Sequence, residues 1–449
     1  MQAKPTSLTP VKASERIHSL DIMRGIVLCG ILLMNINGFG LAGAYADPTV
    51  AGGASGINLW TWITTSMFFE GTMRALFSLL FGVGMFILLS RLEKKGAGIR
   101  AADIYFRRLL WLLLFGLIHG YLLLWSGDIL YDYALMGFLV YSFRNLKPGK
   151  LLIIALLLFS IGSVWNYFEN RNNLKKLDQV AEAEVYKAEG KELTKDMEKA
   201  TGWWAEIQEQ RSPETVAETN ESMRKGYFEV VAFLAPINMQ TDTTWFYRFD
   251  VWDILAMMLL GIALFKWRLL GAEKSYKFYA PITMVFYAIG LSINFMEVRT
   301  IMAGNFSFEA FSKSNITYDA GRLCVAMGHV GLIMMFCKAP ILKWLKRSLS
   351  AVGKMALTNY IMHSVICMFI FTGVGLGLYG RLERYQLLFV VLGIWVLQLI
   401  LSPIWLKYFY FGPLEWLWRN LSYNKRHVLR RSPVEKELVS EKPIPTKPV

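Results

Sequence analysis

The sequence has little charge for its length. Only 18% of its 449 residues are Asp, Glu, Lys or Arg, whereas 54% are hydrophobic and 14% are aromatic. A soluble protein of this size would need more charge to cover its surface. The chain has only five histidines, without an HExxH or carboxylate spacing, so no metal site is expected. The four cysteines lie in or beside apolar segments, which favours small buried side chains over disulfides or metal ligands: Cys29, Cys324, Cys337 and Cys367.

The apolar residues gather in long runs. Each run has about 17–25 residues, the length that crosses a hydrocarbon core of about 30 Å. No cleavable signal pattern precedes the first run, so it is expected to remain as a helix. The sequence therefore predicts an all-α polytopic membrane helix bundle of about ten transmembrane helices with a long outward-facing loop. The predicted spans are 20–41, 72–91, 105–125, 128–145, 150–168, 250–267, 277–296, 320–338, 351–376 and 386–409.

The net charge of +14 follows the topology of these spans. Lys and Arg gather in the connectors after the second, fourth, sixth and eighth spans and in both tails. Cytoplasmic connectors of membrane proteins are enriched in these residues, so both termini are predicted to be cytoplasmic. The expected partner is the lipid bilayer and not nucleic acid, and the sequence leaves a homo-oligomer open.

The chain divides into two predicted membrane halves around one polar segment. Residues 1–168 and 250–423 each contain five spans, and residues 169–249 form the extracytoplasmic loop, whose first part looks helical. Residues 57–70 are apolar but too short to span, which favours an interfacial or re-entrant helix. The charged, Pro-rich tail at 424–449 is expected to be a disordered cytoplasmic tail.

Three polar residues in the first span are candidate binding groups. Asp21 and Arg24 share a helix face three residues apart, and an ion pair that anchors the helix end would satisfy both. Alternatively, Arg24 binds a phosphate or carboxylate that arrives from the cytoplasm. Asn35 lies three turns deeper on roughly the same face, where it can donate to a substrate or to another helix.

A second cluster surrounds the turn between the third and fourth spans. His119 lies before the turn, and Asp128 and Asp132 follow it. A tight hairpin would let His119 face either carboxylate, which raises the basicity of the imidazole. The structural alternative is helix capping by Asp128 and an interhelical hydrogen bond by His119. As a functional residue, His119 is the first choice for a general base.

The ninth span contains a third polar group. Asn359 and His363 are four residues apart and share a helix face. Such residues commonly connect membrane helices by hydrogen bonds, and a role in substrate binding is the alternative. His329, in CVAMGHVG, is expected to make a helix contact in the same way.

Six ordered motifs give the chain a family resemblance from about residue 16 to 423. It resembles the YeiB-like family of bacterial inner-membrane proteins, built on the domain of unknown function numbered 418. The motifs are SLDIMRGIVLCGILLMNI, FSLLFGVG, RRLLWLLLFGLIHG, SGDILYDYALMG, GKMALTNYIMHS and FGPLEWLWR. The resemblance implies a multi-pass protein of the cell inner membrane.

That family is similar in turn to the transmembrane acyltransferase superfamily. The shared opening is Leu-Asp-x-x-Arg-Gly, and the resemblance implies that Arg24 lies where acyl-CoA enters from the cytoplasm. Acyltransferase-3 proteins have a histidine eleven residues later, whereas this chain has Asn35, as heparan-α-glucosaminide N-acetyltransferases do. Those enzymes have their catalytic histidine shortly after the first helix, but residues 41–70 contain none. A base would come from elsewhere, and His119 is the nearest candidate by depth.

The leading functional hypothesis is a membrane acyltransferase with acyl-CoA as co-substrate and no metal. Arg24, helped by Arg107 or Arg108, would hold the CoA phosphates. His119, tuned by Asp128, would deprotonate a glycan, lipid or small-molecule acceptor on the outer side. Oxyanion stabilisation would come from Asn35 or Asn359. The alternatives are a small-molecule or lipid transporter and a non-catalytic assembly partner that docks through the 169–249 loop.

Overall fold

The computed structural model describes residues 17–43 and 47–432, and within these ranges the chain is helical with no strands. The predicted all-α class is confirmed. The first nine helices are α1 (His18–Gly40), α2 (Gly56–Phe68), α3 (Thr72–Lys94), α4 (Ile99–Tyr121), α5 (Leu130–Phe143), α6 (Pro148–Ala188), α7 (Lys195–Gln210), α8 (Pro213–Met223) and α9 (Tyr227–Gln240). The others are α10 (Val251–Lys266), α11 (Tyr276–Ala303), α12 (Phe308–Ser314), α13 (Tyr318–Lys338), α14 (Lys343–Lys354), α15 (Ala356–Phe371), α16 (Arg384–Tyr408) and α17 (Pro413–Tyr423).

Each of the ten predicted spans contains a helix. By length and composition, six of the described helical segments can cross a membrane, or seven if the bent pair α14–α15 counts as one. Helices α5 and α10, with 14 and 16 residues, are shorter than the roughly 20 residues that usually span a bilayer. The membrane bundle is therefore established, and the count of ten stays a prediction.

The bundle is built around α10. Every residue from Asp253 to Leu264 is buried, which is the pattern of a helix surrounded by other helices. It packs on α3, α5 and α6, so side chains from both halves of the sequence share one core. Helices α6, α11 and α16 instead expose large apolar side chains such as Leu157, Val285 and Phe389, as helices at a lipid-facing periphery do. The two predicted five-helix halves therefore share one hydrophobic core.

Helical structure continues through both ends of the predicted loop. Helix α6 includes the first 20 residues of that loop, 169–188, and ends at Ala188. At the other end of the loop, α9, a π-helical turn at Thr241–Asp250 and α10 follow one another without a break, so the boundary at 249/250 falls inside helical chain. The predicted span at 351–376 does not form one continuous helix. Helices α14 and α15 meet at Met355 with an 84° bend.

The short helix expected at 57–70 is present, whereas the first part of the predicted disordered tail is ordered. Residues 57–70 do form a short helix, α2, followed closely by α3. Residues 424–432 do not form a disordered tail, since the backbone N–H of Arg431 donates to Tyr408 and that of Tyr410 donates to Leu429, both at 2.9 Å. The rest of the predicted tail, 433–449, lies outside the described residues, as does the basic segment 1–16.

Two glycines bring α3 and α10 into close contact. A Cβ on Gly261 would lie 2.3 Å from the backbone oxygen of Leu79, and one on Gly82 would lie 2.5 Å from that of Met258. Small residues permit this backbone approach in membrane bundles. This contact positions α3 in the bundle. The face of α3 that points away from α10 lines the cavity described below.

Gly261→Ala is expected to lower the free energy of unfolding by about 1–3 kcal/mol, because the added methyl group forces the backbones of α3 and α10 apart. Thermal unfolding of the purified protein in detergent measures the effect. The matched control is Gly393→Ala in α16, where an added Cβ meets nothing within 4 Å; we expect it to be neutral or slightly stabilising. Equal midpoints for the two variants would contradict the close contact.

Candidate functional site

A cavity of about 280 Å³ lies where α1, α3, α4, α5, α14, α15 and α17 come together. We call it the basic cavity, because its lining contains five basic side chains and only two acidic ones. The basic residues are Arg24, Arg91, Arg108, Lys354 and Arg419, and the acidic residues are Asp21 and Glu415. Such an excess of positive charge attracts anions.

Helix α1 contributes the predicted ion pair to this cavity. Arg24 Nη1 lies 3.2 Å from Asp21 Oδ1, and the side chain of Asp21 is 8% exposed whereas that of Arg24 is 25% exposed. The end of α14 packs closely on this part of α1, since a Cβ on Gly353 would lie 2.0 Å from the backbone oxygen of Asp21. The ion pair can therefore stabilise this end of α1 while Arg24 presents its guanidinium to the cavity. The predicted anchoring role and the predicted phosphate-binding role are compatible.

The two neighbouring arginines of α4 have different positions. The guanidinium of Arg108 lies over the ring of Trp418 at 3.4 Å from its centroid, and Trp418 Nε1 donates to the backbone oxygen of Arg108 at 2.8 Å. Arg107 lies outside the basic cavity and binds Asp103 one turn earlier, at 2.5 and 2.7 Å. Of the two predicted phosphate ligands, only Arg108 is brought to the site.

The break between α14 and α15 also lies at this cavity. The first backbone N–H groups of α15, from Leu357 and Thr358, donate to Glu415 Oε1 at 2.7 and 3.1 Å. The hydroxyl of Thr358 donates to Glu415 Oε2 at 2.5 Å. A carboxylate thus caps the positive end of the helix. Burial raises the pKa of Glu415, and the hydrogen bonds from Thr358 oppose this.

Most of the other residues that line the basic cavity are apolar or aromatic. They include Phe77, Leu80, Phe81, Leu112, Leu130, Tyr133 and Leu357. The ring of Tyr360, itself part of the lining, meets the imidazole of His119 edge-on at 5.0 Å between centroids. The cavity lining therefore combines cationic and apolar side chains, and one lining residue, Tyr360, contacts His119.

His119 is fully buried between a carboxylate and a hydroxyl. Its Nδ1 lies 2.6 Å from Asp128 Oδ1, and its Nε2 lies 2.6 Å from Ser364 Oγ. The other carboxylate oxygen, Asp128 Oδ2, accepts from the backbone N–H of Tyr131 at 2.9 Å. Of the two carboxylates that the sequence offered, Asp128 is the partner of His119. Asp128 also caps the start of α5, as the structural alternative predicts, and the role of His119 as a general base stays a prediction.

The remaining predicted site residues lie elsewhere. Asn359 Nδ2 donates to Val352 O and Ser402 Oγ, both at 3.1 Å, and His363 Nε2 lies 3.1 Å from Gln398 Oε1. These contacts connect α15 to its neighbours and do not line the basic cavity. Asn35 is half-buried and also lies outside it. The structure therefore gives Asn359 and His363 the helix-connecting role and does not bring Asn35 to His119.

His329 makes the helix contact that the sequence predicts. Its Nε2 lies 2.7 Å from the backbone oxygen of Phe68, and its Nδ1 lies 2.6 Å from the hydroxyl of Tyr287. Within the described ranges, no three His, Cys, Asp or Glu side chains are grouped as metal ligands would be.

Sequence reasoning missed a second buried group of charges. Arg322 donates to both oxygens of Asp253 at 2.8 and 3.0 Å and to Asp319 at 3.0 Å. Arg74 binds Asp250 and lies 3.5 Å from Asp253. Each of these residues interrupts or borders an apolar run, so the rule that flags ionisable residues in membrane segments would have found them.

Comparison with known proteins places the chain in a family. The family described as "Protein of unknown function (DUF418)" matches residues 264–425. The chain is 31% identical over 434 residues to the uncharacterized protein YxaH of Bacillus subtilis (strain 168), covering 93% of this chain and 97% of that protein. It is 30% identical over 416 residues to the uncharacterized protein YeiB of Escherichia coli (strain K12), covering 91% and 96%.

A more distant relative matches over a similar length. The uncharacterized 39.9 kDa protein in the amylase 3′ region of Bacillus acidopullulyticus is 26% identical over 433 residues, or 93% of this chain and 97% of that protein. No solved structure matches the chain. Because identity of about 30% extends over nearly the whole length of both chains, the protein belongs to the YeiB-like DUF418 family of membrane proteins.

Proposed function

We propose that this protein is an integral-membrane acyltransferase of the bacterial inner membrane. Acyl-CoA enters the basic cavity from the cytoplasm, where both termini lie, and the acyl group passes to a hydroxyl or amine acceptor on the other side. The main support is one observation: a cavity lined by both cationic and apolar side chains includes Tyr360, whose ring contacts the imidazole that Asp128 binds, that of His119.

The size and charge of the basic cavity match one end of this substrate. A volume of about 280 Å³ is at the lower limit of ligand pockets. It would take the thioester and part of the pantetheine arm, and the phosphates would remain at the rim. Arg24, Arg91 and Arg108 line the cavity, and guanidinium groups bind phosphate with charge-assisted hydrogen bonds.

Next to Tyr360, the chemistry would depend on His119. An imidazole held by Asp128 at 2.6 Å can accept a proton from a nucleophile and return it to a leaving group. Neither Asn35 nor Asn359 lines the basic cavity, so neither is placed to stabilise an oxyanion there.

Thermal unfolding of the purified protein tests this function. Acetyl-CoA and palmitoyl-CoA are expected to raise the unfolding temperature of wild type, because a ligand that binds only the folded state stabilises it. Release of free CoA thiol from the same samples measures turnover. Acyl-CoA that neither stabilises the protein nor is consumed would rule the acyltransferase out.

Transport of an amphiphilic anion is the second candidate function, and the bent helix favours it. Discontinuous helices line the substrate sites of many secondary transporters, and the 84° break between α14 and α15 borders the basic cavity. Proteoliposomes separate the two functions: a transporter moves the anion across the vesicle membrane with its thioester intact, whereas an acyltransferase releases CoA.

Arg108→Gln is expected to weaken acyl-CoA binding about 10- to 100-fold, the loss expected when a charge-assisted hydrogen bond of about 1.5–3 kcal/mol is removed. Titration with palmitoyl-CoA measures the dissociation constant. Arg107→Gln is the matched control, because this neighbouring residue binds Asp103 outside the basic cavity, and its affinity should match wild type. Equal weakening in both variants would indicate attraction to a basic surface in general and contradict binding in the cavity.

A further inference from the structure

The second hydrogen-bond partner of the His119 imidazole, besides Asp128, is a buried serine. Ser364 lies on α15, is 1% exposed, and its Oγ lies 2.6 Å from His119 Nε2. His119 comes from α4 and Asp128 from the turn that follows it, so three separate segments meet here. Sequence spacing gave no sign of this contact, since 245 residues separate Ser364 from His119.

The contacts of the imidazole define the direction of its hydrogen bonds. An ionised Asp128 only accepts, so Nδ1 of His119 donates to it, and Nε2 is then the unprotonated nitrogen. The hydroxyl of Ser364 therefore donates to Nε2. This is the arrangement in which a histidine takes the proton of a serine as the serine attacks a carbonyl carbon.

A residue that lines the basic cavity lies one helical turn from this serine. Tyr360 lines the cavity and precedes Ser364 by four residues, so the two side chains lie one above the other on the same face of α15. The ring of Tyr360 also meets the imidazole of His119 edge-on, at 5.0 Å between centroids. An acyl thioester in the cavity would reach the serine oxygen after a rotation of this one side chain.

We propose that Ser364 is a nucleophile that carries the acyl group as an ester between donor and acceptor. This inference rests on the proposed acyltransferase function. Ser364 Oγ bonds to the thioester carbonyl carbon, and its proton moves to His119 Nε2. The C–S bond breaks, and the CoA thiolate takes the proton from His119 and leaves as the thiol. The acceptor hydroxyl or amine then attacks the ester carbon, gives its proton to His119, and Ser364 Oγ leaves and recovers that proton.

The covalent ester is the readout that a structural role for Ser364 would not produce. Purified protein in nanodiscs is treated with a fluorophosphonate, which labels activated serines whatever their substrate, and separately with acetyl-CoA or palmitoyl-CoA. Mass spectrometry of the peptide that contains Ser364 is expected to show the fluorophosphonate adduct and the acyl ester. Ser364→Ala should lose both adducts and slow the release of CoA at least 100-fold.

Two further variants keep the test decisive. Ser402→Ala is the matched control, because Ser402 is equally buried and binds Asn359 on a neighbouring helix; its adducts should match wild type. Ser364→Cys keeps a nucleophile and should form a thioester that neutral hydroxylamine cleaves, whereas the serine ester resists it. If Ser402→Ala and Ser364→Cys give these results, misfolding does not explain the loss of both adducts in Ser364→Ala.

The outcomes separate this inference from the proposed function. If acyl-CoA stabilises and is consumed by wild type, but Ser364 acquires no adduct and Ser364→Ala turns over normally, the serine inference is overturned and direct transfer remains. If the fluorophosphonate labels Ser364 while acyl-CoA neither binds nor reacts, the serine is a nucleophile and the acyl-CoA function is overturned. If neither reagent modifies Ser364, the nucleophile is rejected.

Discussion

Asp253→Leu is expected to lower the free energy of unfolding by about 3–5 kcal/mol, because removing one partner of a buried ion pair leaves the other charge uncompensated. Arg322 is 3% exposed and uses two of its nitrogens to bind both oxygens of Asp253. After the substitution it retains Asp319 alone, at the edge of the same cluster. Arg74 also loses a nearby carboxylate, at 3.5 Å. The loss should appear as a much lower unfolding temperature in detergent or as a failure to accumulate in the membrane.

A double substitution shows whether the pair itself is responsible. Arg322→Met combined with Asp253→Leu removes both charges and should recover much of the stability that Asp253→Leu loses, since apolar replacements of a buried pair are often neutral. Asp103→Ala is the control for an ion pair that is exposed. Its partner is Arg107, and exposed pairs of this kind contribute about 0.2–1 kcal/mol. Comparable destabilisation by Asp253→Leu and Asp103→Ala would contradict a structural role for the cluster.

The membrane helices could be predicted because hydrocarbon imposes their length and composition. Every predicted span contains a helix, since a backbone in lipid must satisfy its own hydrogen bonds. The ends were harder to predict at α6, where the apolar run ends near residue 168 but the helix continues to Ala188. A change from apolar to polar residues marks the surface of the bilayer and not the end of a helix, and KKLDQVAEAEVYKA consists mostly of good helix formers.

The candidate site could be predicted only where its contacts are local. His119 and Asp128 are nine residues apart, so a hairpin was enough to bring them together. Ser364 could not be found in this way, because its contact depends on which helices are neighbours in the bundle. The same limit applies to the basic cavity, whose lining comes from seven helices. One of its lining residues, Trp418, packs on Arg108 from the far end of the chain.

His119→Gln and Asp128→Asn are expected to lower the rate of CoA release about 1,000-fold, within the range that general acid–base catalysis and orientation of a histidine contribute in serine enzymes. A glutamine at position 119 can still bind the hydroxyl of Ser364 but cannot accept its proton at neutral pH. An asparagine at position 128 can still accept from Tyr131 N, which Asp128 Oδ2 now does at 2.9 Å. Its amide would donate to Nδ1, however, so that Nε2 carries the proton and no longer accepts from Ser364.

His363→Gln is the matched control for both variants. His363 is also a buried histidine, 2% exposed, but it lies against Gln398 between α15 and α16. Its substitution should change turnover little once any loss of folded protein is taken into account. If all three variants lost turnover in proportion to their loss of thermal stability, His119 would be a helix contact like His329 and His363. A large loss confined to His119→Gln and Asp128→Asn, with unfolding temperatures near that of wild type, requires instead that a proton moves through the imidazole, because the changed protonation is what those two variants share.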